Sequence, residues 1–391
     1  MHRRIAFIAA VMAAIAVSSA GGSSIAVAAE LPVSTKAILK ELKLPESTLD
    51  DIDEELAVPA DWIEKANKEG KVILSTSWDH PQFVKIAKPF QERYPKIKLD
   101  LLEGSFNTRV IKTLVSWKMG SPNTDILGEF GGAYGQLDEL GALENIEDLP
   151  GFQSSVDIGR DPNGKWVGMQ LRYWCMAYNT NLVKKEQLPK TWEDLLTDPQ
   201  WRGGQIAIGN RPQLWILMLW GAKGPEWTTN FMKEFFEKVQ PQLRKEGMDA
   251  LIGLNIAGEF KAVIPAAEYR VKQNLNKGAP ISWHCPEPMP LSVSEMGIMK
   301  KAPHLYAAKL FVNWFVSKEG QVAQFYADHS PPVHKGLQDE RFAAFPEELA
   351  GKKVAERSPQ LEGVMPPVLD VWNPLWEKYS GNTAAGPSLK P

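Results

Sequence analysis

From residue 71 onward, the hydrophobic pattern predicts short strands that alternate with amphipathic helices. The apolar run 72–74 has the length and composition of a buried strand. Phe106, Val110, Leu114 and Trp117 follow at spacings of four, four and three, which place them on one face of a helix. Alternation of this kind predicts an α/β fold with mostly parallel sheets flanked by helices.

The same alternation continues through the second half of the chain. Residues 205–208 and 262–266 are predicted strands, and residues 303–320 form the clearest predicted helix. Pro303 suits the first turn of that helix, and Gly320 suits its C-terminal cap. The α/β pattern therefore extends well beyond one small domain.

The first residues have the pattern of an export signal. Arg3 and Arg4 precede thirteen apolar residues, 5–17, and small residues continue to Ala29. A helix of that length covers about 20 Å, whereas a membrane anchor must cross a hydrocarbon core of about 30 Å. We therefore expect a cleaved signal peptide at 1–29 and a periplasmic protein.

Length and charge limit the class of protein further. The chain has 391 residues, of which 44% are hydrophobic and 23% charged. It exceeds the length at which a single core keeps growing, so two domains are expected. The formal net charge is −3, so the chain has no excess of the basic residues that bind phosphate backbones. We expect no nucleic-acid partner.

The two cysteines, Cys175 and Cys285, are far apart and belong to no C-x-x-C motif. A zinc site is therefore improbable. In an oxidising compartment they are either two buried thiols or one disulfide.

Catalytic motifs are missing from the sequence. It contains no G-x-S-x-G elbow, no H-E-x-x-H and no P-loop, and its six histidines are scattered. We expect a binding protein without a cofactor, and an enzyme built on the same fold is the competing class. Turnover of the bound ligand would distinguish the two.

Several segments carry a resemblance to a known family. They are ANKEGKVIL at 66–74, GSPNTDIL at 120–127, WVGMQLRYWCMAYNTN at 166–181, LPKTWEDLL at 188–196, WRGGQIAIG at 201–209 and APHLYAAKLFVNWFVSKEGQ at 302–321. In this order and spacing they resemble bacterial ABC-transporter solute-binding proteins. The resemblance is to the type II periplasmic binding proteins of the ferric-iron and spermidine/putrescine-like group.

The resemblance implies two α/β lobes joined by crossing strands, with the ligand in the cleft between them. The expected boundaries are a helical lead-in at 30–69, lobe 1 at 70–172 and 284–330, lobe 2 at 173–283, and a C-terminal segment at 331–391 that packs on the lobes. Such a protein, as a monomer, delivers a small-molecule solute to a membrane permease powered by an ATPase. A ligand sensor for a membrane receptor is an alternative with the same closed-lobe surface.

In open α/β sheets, ligands bind beyond the carboxyl ends of the strands. That rule, with the first crossing strand, selects the candidate ligand-binding residues Ser77, Trp78, Asp79, His80, Glu129, Arg172, Trp174, Asn210, Arg211, Glu268 and Tyr269. Arg172, Arg211 and the neighbouring Arg270 suit bidentate binding of a carboxylate or phosphate. The tryptophans could stack on a ring, and Asp79 could instead cap the next helix. We expect a small polar organic ligand that is anionic or contains a ring.

A ferric-iron ligand is the alternative that the family raises. Its iron-binding branch uses an adjacent tyrosine pair as phenolate ligands, whereas this chain has Ala-Glu-Tyr-Arg at 267–270. If iron were bound, His80, Glu268 and Tyr269 would be the ligands; otherwise no metal site is expected.

The family architecture also bears on the cysteines. Its two crossings run side by side, so the resemblance implies a disulfide between Cys175 and Cys285, with free thiols as the alternative.

Overall fold

The structure is a computed structural model that describes residues 30–104, 107–130, 132–357, 361 and 363–380. The predicted signal peptide and Phe106 lie outside the described residues. In the part of the chain that is described, no helix combines the length and apolar character needed to cross a membrane.

The described strands join into one ordered sheet. They are β1 (Lys71–Ser75), β2 (Lys98–Leu101), β3 (Ile126–Gly128), β4 (Val167–Asn179), β5 (Ile206–Gly209), β6 (Gln242–Arg244), β7 (Ala262–Ala267), β8 (Ile281–His284), β9 (Met289–Ile298) and β10 (Val354–Glu356). Their order is β2-β1-β3-β9-β4-β7-β5-β6, with β10 beside β9 and β8 beside β4. Strand β1 is parallel to β2 and β3, and β5 is parallel to β6 and β7.

Helices cover these strands. They are α1 (Val33–Leu42), α2 (Ile52–Glu55), α3 (Ala60–Glu69), α4 (His80–Arg93), α5 (Lys112–Lys118), α6 (Tyr134–Glu139), α7 (Asp194–Thr197), α8 (Ile216–Lys223), α9 (Pro225–Glu234), α10 (Met248–Ile256), α11 (Glu268–Asn276), α12 (Leu305–Val316), α13 (Lys318–Asp328), α14 (Pro346–Leu349) and α15 (Met365–Ser380).

Strand β4 connects two groups of strands. Residues 167–173 pair with β9, whereas residues 174–179 pair with β7 and β8. All of these pairings are antiparallel. We call β1, β2, β3, β9, β10 and the first half of β4 the first strand group, and β5 to β8 with its second half the second strand group. The chain passes between them once along β4 and again between β8 and β9.

Each strand group has its own hydrophobic core. In the first group, Phe90 of α4 packs with Phe311 and Trp314 of α12, at ring-centroid distances of 5.2 and 5.4 Å. In the second group, Trp215 lies against Trp192 at 5.2 Å and Trp372 at 6.2 Å. Helix α15 thus completes the second core.

The helix predicted at 303–320 is divided into two. Helix α12 ends at Val316, and Ser317 is in an extended conformation that starts α13, accepting a 3.4 Å hydrogen bond from the Gly320 backbone. The prediction that Gly320 caps a helix C-terminus is therefore wrong. Gly320 lies in the first turn of α13, where a Cβ would collide with backbone atoms of Trp314 and Phe315.

The two cysteines form a disulfide that spans the two crossings. Cys175 lies on β4, Cys285 directly follows β8, and their Cα atoms are 4.9 Å apart. This separation is within the range that disulfide geometry allows. Both residues are fully buried.

We predict that Gly320→Ala destabilises the protein by about 1–3 kcal/mol, because the new methyl group meets backbone and not a flexible side chain. Gly253→Ala is the matched control, since a Cβ at this position in α10 meets nothing within 4 Å. The control is expected to be neutral or slightly stabilising. Denaturant unfolding measures both, and equal stabilities would contradict the packing described here.

We also predict that the exported, unreduced protein contains no free thiol. Its intact mass should be lower than that of the reduced protein by two hydrogens, and a thiol-alkylating reagent under denaturing conditions should not modify it. Alkylation of both cysteines before reduction would disprove the Cys175–Cys285 bond.

Candidate functional site

The centre of the candidate site is a buried guanidinium on β4, at the point where the strand changes partners. Arg172 is only 6% exposed. Its Nη1 donates to Ser330 Oγ at 3.0 Å, and its Nη2 donates to Glu129 Oε1 at 3.3 Å. Asp328 Oδ2 lies 3.8 Å from Nη2. Burial alone lowers the pKa of Arg172, but neighbouring Tyr269 and the carboxylates raise it above its usual value, so the group stays charged.

The second strand group contributes an aromatic ring to this guanidinium. The Tyr269 ring centroid lies 4.1 Å from the Arg172 guanidinium carbon, a distance at which cation–π attraction is favourable. The Tyr269 hydroxyl accepts a 3.1 Å hydrogen bond from Arg270 Nε. Arg270 is also 3.4 Å from Asp249. The two strand groups therefore meet through Arg172 and Tyr269.

Glu268 is a buried carboxyl group beside this pair. It is 2% exposed, and its Oε2 accepts a 3.0 Å hydrogen bond from the Tyr173 backbone. Its Oε1 has no hydrogen-bond partner among the described residues. Burial raises the pKa of Glu268 to about 8, against the opposing attraction of Arg172. At neutral pH this carboxyl is therefore mostly protonated.

Helix α11 begins at the same place. Its N-cap residue, Ala267, has no side chain that can accept from the first-turn N–H groups. Glu268, in the first turn, already meets the positive end of the helix dipole with its own carboxyl group, which accepts from its backbone N–H. An anionic group is the natural partner for such a helix end.

Two further arginines lie near the carboxyl ends of strands. Arg109 is 6% exposed and donates to the carbonyl oxygen of Gly128, the last residue of β3, at 2.9 Å. Arg211, half-buried, lies two residues beyond β5. Burial lowers the pKa of both, and Glu129 and Asp249 oppose this only in part. Their positive charge is thus incompletely balanced within the described residues.

The loop after β3 holds Glu129 in an unusual conformation. Its φ of 54° is in the left-handed region, and its N–H donates to the Glu295 carbonyl at 2.6 Å. Its carboxylate faces both Arg172 and, at 3.9 Å, Arg109. A non-glycine residue held in this region is typical of functional sites.

The structure brings together four of the predicted site residues: Glu129, Arg172, Glu268 and Tyr269. Trp174, next along β4, is half-buried and donates from Nε1 to Ser292 Oγ at 2.8 Å. Arg211 and Tyr269 are linked indirectly, since Asp249 interacts with Arg211 and with Arg270.

The predicted role of Trp78 is wrong. Its side chain is 3% exposed and packs on Phe315 of α12 at 5.5 Å, so it belongs to the first core and cannot stack on a ligand. Neighbouring Asp79 caps α4, accepting from Gln82 N at 2.9 Å in a capping box, which was the alternative for this residue.

The remaining predicted residues lie elsewhere. Ser77 is exposed. Asn210 accepts a 2.8 Å hydrogen bond from Trp372 Nε1, which fastens α15. The His80 side chain is 73% exposed, with Nδ1 at 3.8 Å from Glu103 Oε1.

Two of the three predicted iron ligands, Glu268 and Tyr269, are adjacent at the start of α11, and the third, His80, pairs with Glu103. Among the described residues, no group of three or more His, Cys, Asp or Glu side chains is placed to hold a metal ion.

Sequence reasoning missed Arg109, Ser294, Asp328 and Ser330. Ser294 Oγ accepts a 3.4 Å hydrogen bond from Arg172 Nε. It had a usable signal, because Ser292 and Ser294 alternate with apolar residues on β9 and so define a polar face. Asp328 ends α13 and Ser330 follows it, and neither had such a signal, since both lie far along the chain from Arg172.

The comparisons identify the family. The model of the bacterial extracellular solute-binding protein family matches residues 134–346, more than half of the chain. The chain belongs to this family, whose members are the binding components of ABC import systems, and the predicted family is confirmed.

Particular relatives are distant. Iron uptake protein A1 of Synechocystis sp. is 25% identical over 261 residues, covering 62% of this chain and 70% of the relative. Among solved structures, Trichodesmium IdiA (FutA) in complex with iron and citrate has a TM-score of 0.65 at 19% identity, covering 78% of this chain and 99% of that one. AfuA from Actinobacillus pleuropneumoniae, with fructose-6-phosphate bound, has a TM-score of 0.61 at 21% identity. The match covers 79% of this chain and 98% of that one. These likenesses confirm the predicted two-lobed α/β fold.

We predict that Glu268→Gln changes how stability depends on pH. A carboxyl whose pKa is raised from 4.5 to about 8 binds its proton more tightly in the folded protein than in the unfolded chain. That proton stabilises the fold at acidic pH, and its contribution is lost as the pH rises from about 4.5 to about 8. Glutamine cannot ionise, so the stability of the Glu268→Gln variant does not fall in this way.

The stability of Glu268→Gln relative to the parent protein should therefore rise with pH across this window, by up to about 1.4 kcal/mol per pH unit. Guanidinium unfolding at several pH values measures it. Exposed Glu186→Gln controls for the removal of one charge. A constant difference between Glu268→Gln and the parent would contradict the protonated, buried carboxyl.

Proposed function

We propose that the protein captures a small organic anion in the cleft between two lobes and delivers it to a membrane permease powered by an ATPase. The first strand group, apart from β10, forms lobe 1 (70–172 and 284–330), and the second forms lobe 2 (173–283). The lead-in at 30–69 and the segment from 331 pack on these lobes. A signal peptide at 1–29 is removed, and the mature protein acts in the periplasm as a monomer.

The observation that carries this proposal is an excess of guanidinium charge at the junction. Arg109, Arg172, Arg211 and Arg270 lie there, and the carboxyl groups that face them are Glu129, Asp249 and Asp328. Burial raises the pKa of Asp328 as well. Glu268 adds no full negative charge at neutral pH, because its pKa is raised to about 8. A bound anion would restore neutrality.

Directional donors add to this charge. The start of α11 supplies the backbone N–H groups that the Glu268 carboxyl does not already engage, and a protonated Glu268 supplies a hydroxyl donor beside them. A carboxylate or phosphate accepts several such hydrogen bonds at once. These donors favour a multidentate oxyanion over a neutral solute.

Capture follows from the way the lobes share the site. Arg172 and Glu129 belong to lobe 1, whereas Glu268 and Tyr269 belong to lobe 2. A ligand that bonds to residues of both lobes stabilises the closed arrangement over the open one and shifts the population toward it. No bond in the solute needs to be made or broken, so the solute should be recovered unchanged.

Ferric iron is a second candidate cargo. His80 and Glu103 form an exposed pair, in which the carboxylate is a hard metal ligand and the imidazole a borderline one. Two of the compared proteins carry iron in their names or titles. The missing tyrosine pair disfavours iron at Glu268 and Tyr269 themselves. Iron bound together with an organic anion such as citrate would use the arginine site for the anion.

The test begins with mass spectrometry of the solute that co-purifies with the natively folded protein. Calorimetric titrations then use that solute, with citrate, fructose 6-phosphate and ferric citrate as further probes. We predict that Arg211→Gln and Arg270→Gln each weaken binding of an anion by about 10- to 100-fold, because each removes a charged hydrogen bond.

Arg341→Gln is the matched control, since this exposed arginine pairs only locally with Asp339. If both site variants bind as tightly as the control, the anion site is misplaced. Tight binding of ferric ion without an organic anion, abolished by His80→Ala, would instead support iron as the cargo. Chemical conversion of the recovered solute would indicate an enzyme.

A further inference from the structure

We propose that the outer face of α5, with the flanking Lys112 and Lys118, binds the surface of an anionic membrane. The starting observation is an exposed apolar stripe. Ile111, Val115 and Met119 are 45%, 50% and 77% exposed. They are four residues apart, so they lie along one side of the helical segment. We call these three residues the α5 stripe.

The opposite side of α5 is firmly packed. Val110 and Leu114 are 0% and 3% exposed and belong to a core cluster with Phe130. Trp117 donates from Nε1 to the Lys300 carbonyl at 2.8 Å. The helix therefore packs against the protein through this opposite face. The α5 stripe takes no part in that packing.

Lysines border the α5 stripe on both sides. At about 100° per residue, Lys118 falls on one edge of the stripe and Lys112 on the other. The turn of Lys300 and Lys301 lies on the packed side of α5, where the Lys300 carbonyl accepts from Trp117, and adds positive charge near the helix. All four lysines are exposed, and none forms an ion pair with a residue that the structure describes.

This concentration of positive charge contrasts with the whole chain, whose formal net charge is −3. Charge complementarity therefore selects an anionic partner. Lysine is depleted in protein–protein interfaces, where arginine and aromatic residues are preferred. An apolar strip flanked by lysines is instead typical of segments that lie in the interface of anionic bilayers, with the lysine stems reaching up to the headgroups.

A membrane surface also fits the place of the stripe in the fold. Arg109, at the other end of the same helical segment, contacts the loop that holds Glu129. The stripe is thus on lobe 1, outside the anion site. A membrane bound to the stripe would leave that site free. A weak hold on the bilayer would restrict the search for a membrane permease to two dimensions.

The test is co-sedimentation of the full mature protein with vesicles. One set contains phosphatidylcholine only, and the other contains one part phosphatidylglycerol to three parts phosphatidylcholine. We expect binding to the anionic vesicles alone, weakened by added salt. The double variant Lys112→Glu/Lys118→Glu should lose about tenfold or more of this binding, and Val115→Asp should lose a similar share.

Matched controls lie on α4. Lys88→Glu reverses an exposed lysine, and Val84→Asp changes a valine that is 49% exposed, close to the 50% of Val115. Both should bind the anionic vesicles normally. Thermal unfolding of every variant separates loss of binding from loss of fold.

Three results would overturn the proposal: no binding to anionic vesicles, equal binding to neutral ones, or unchanged binding by the α5 variants. If the protein binds no vesicle, but its α5 variants bind a purified permease more weakly than the parent protein does, the α5 stripe is a protein interface instead. The anion titrations on Arg211 and Arg270 are independent of every one of these outcomes.

Discussion

The buried charge of Arg172 is the constraint on which the junction depends. A guanidinium with 6% exposure must be neutralised and hydrogen-bonded, or the fold would lose several kcal/mol. Its partners come from separate parts of the chain: Glu129 after β3, Ser330 after α13 and Tyr269 at the start of α11. Because these groups converge on one side chain, the two strand groups cannot be placed independently. The same convergence gathers the charges and donors on which the proposed anion site rests.

The strand alternation and the family could both be predicted from sequence. Glu129, Glu268 and Tyr269 follow strand ends, and the structure places them around Arg172, although their role as ligand-binding residues stays a prediction. The rule that ligands bind beyond strand ends failed for Trp78, because three residues beyond a strand the chain has already turned back toward α12, where Phe315 packs on the indole. It could not find Asp328, whose proximity to Arg172 depends on tertiary packing. The break at Ser317 was also hidden, since the apolar period continues through both α12 and α13.

The positive charges of this molecule occur in two different settings. Buried arginines at the junction are held by hydrogen bonds and an aromatic ring, and their geometry is fixed before a ligand arrives. The lysines around the α5 stripe are exposed and unpaired within the described residues, and they offer charge without fixed direction. Planar, forked donors suit a small oxyanion, whereas mobile ammonium groups suit a diffuse anionic surface. Under the two proposals, arginine thus serves recognition of a solute and lysine serves attraction to a larger partner.

The bond between Cys175 and Cys285 has a mechanical consequence. It closes a covalent ring over a sequence separation of 110 residues, and that ring encloses β5 to β8 with helices α7 to α11. A force applied to the two ends of the chain would pass through the sulfur bridge and bypass the ring. An unfolding motor that pulls on either terminus could therefore unravel the outer elements while the enclosed ones bear no load.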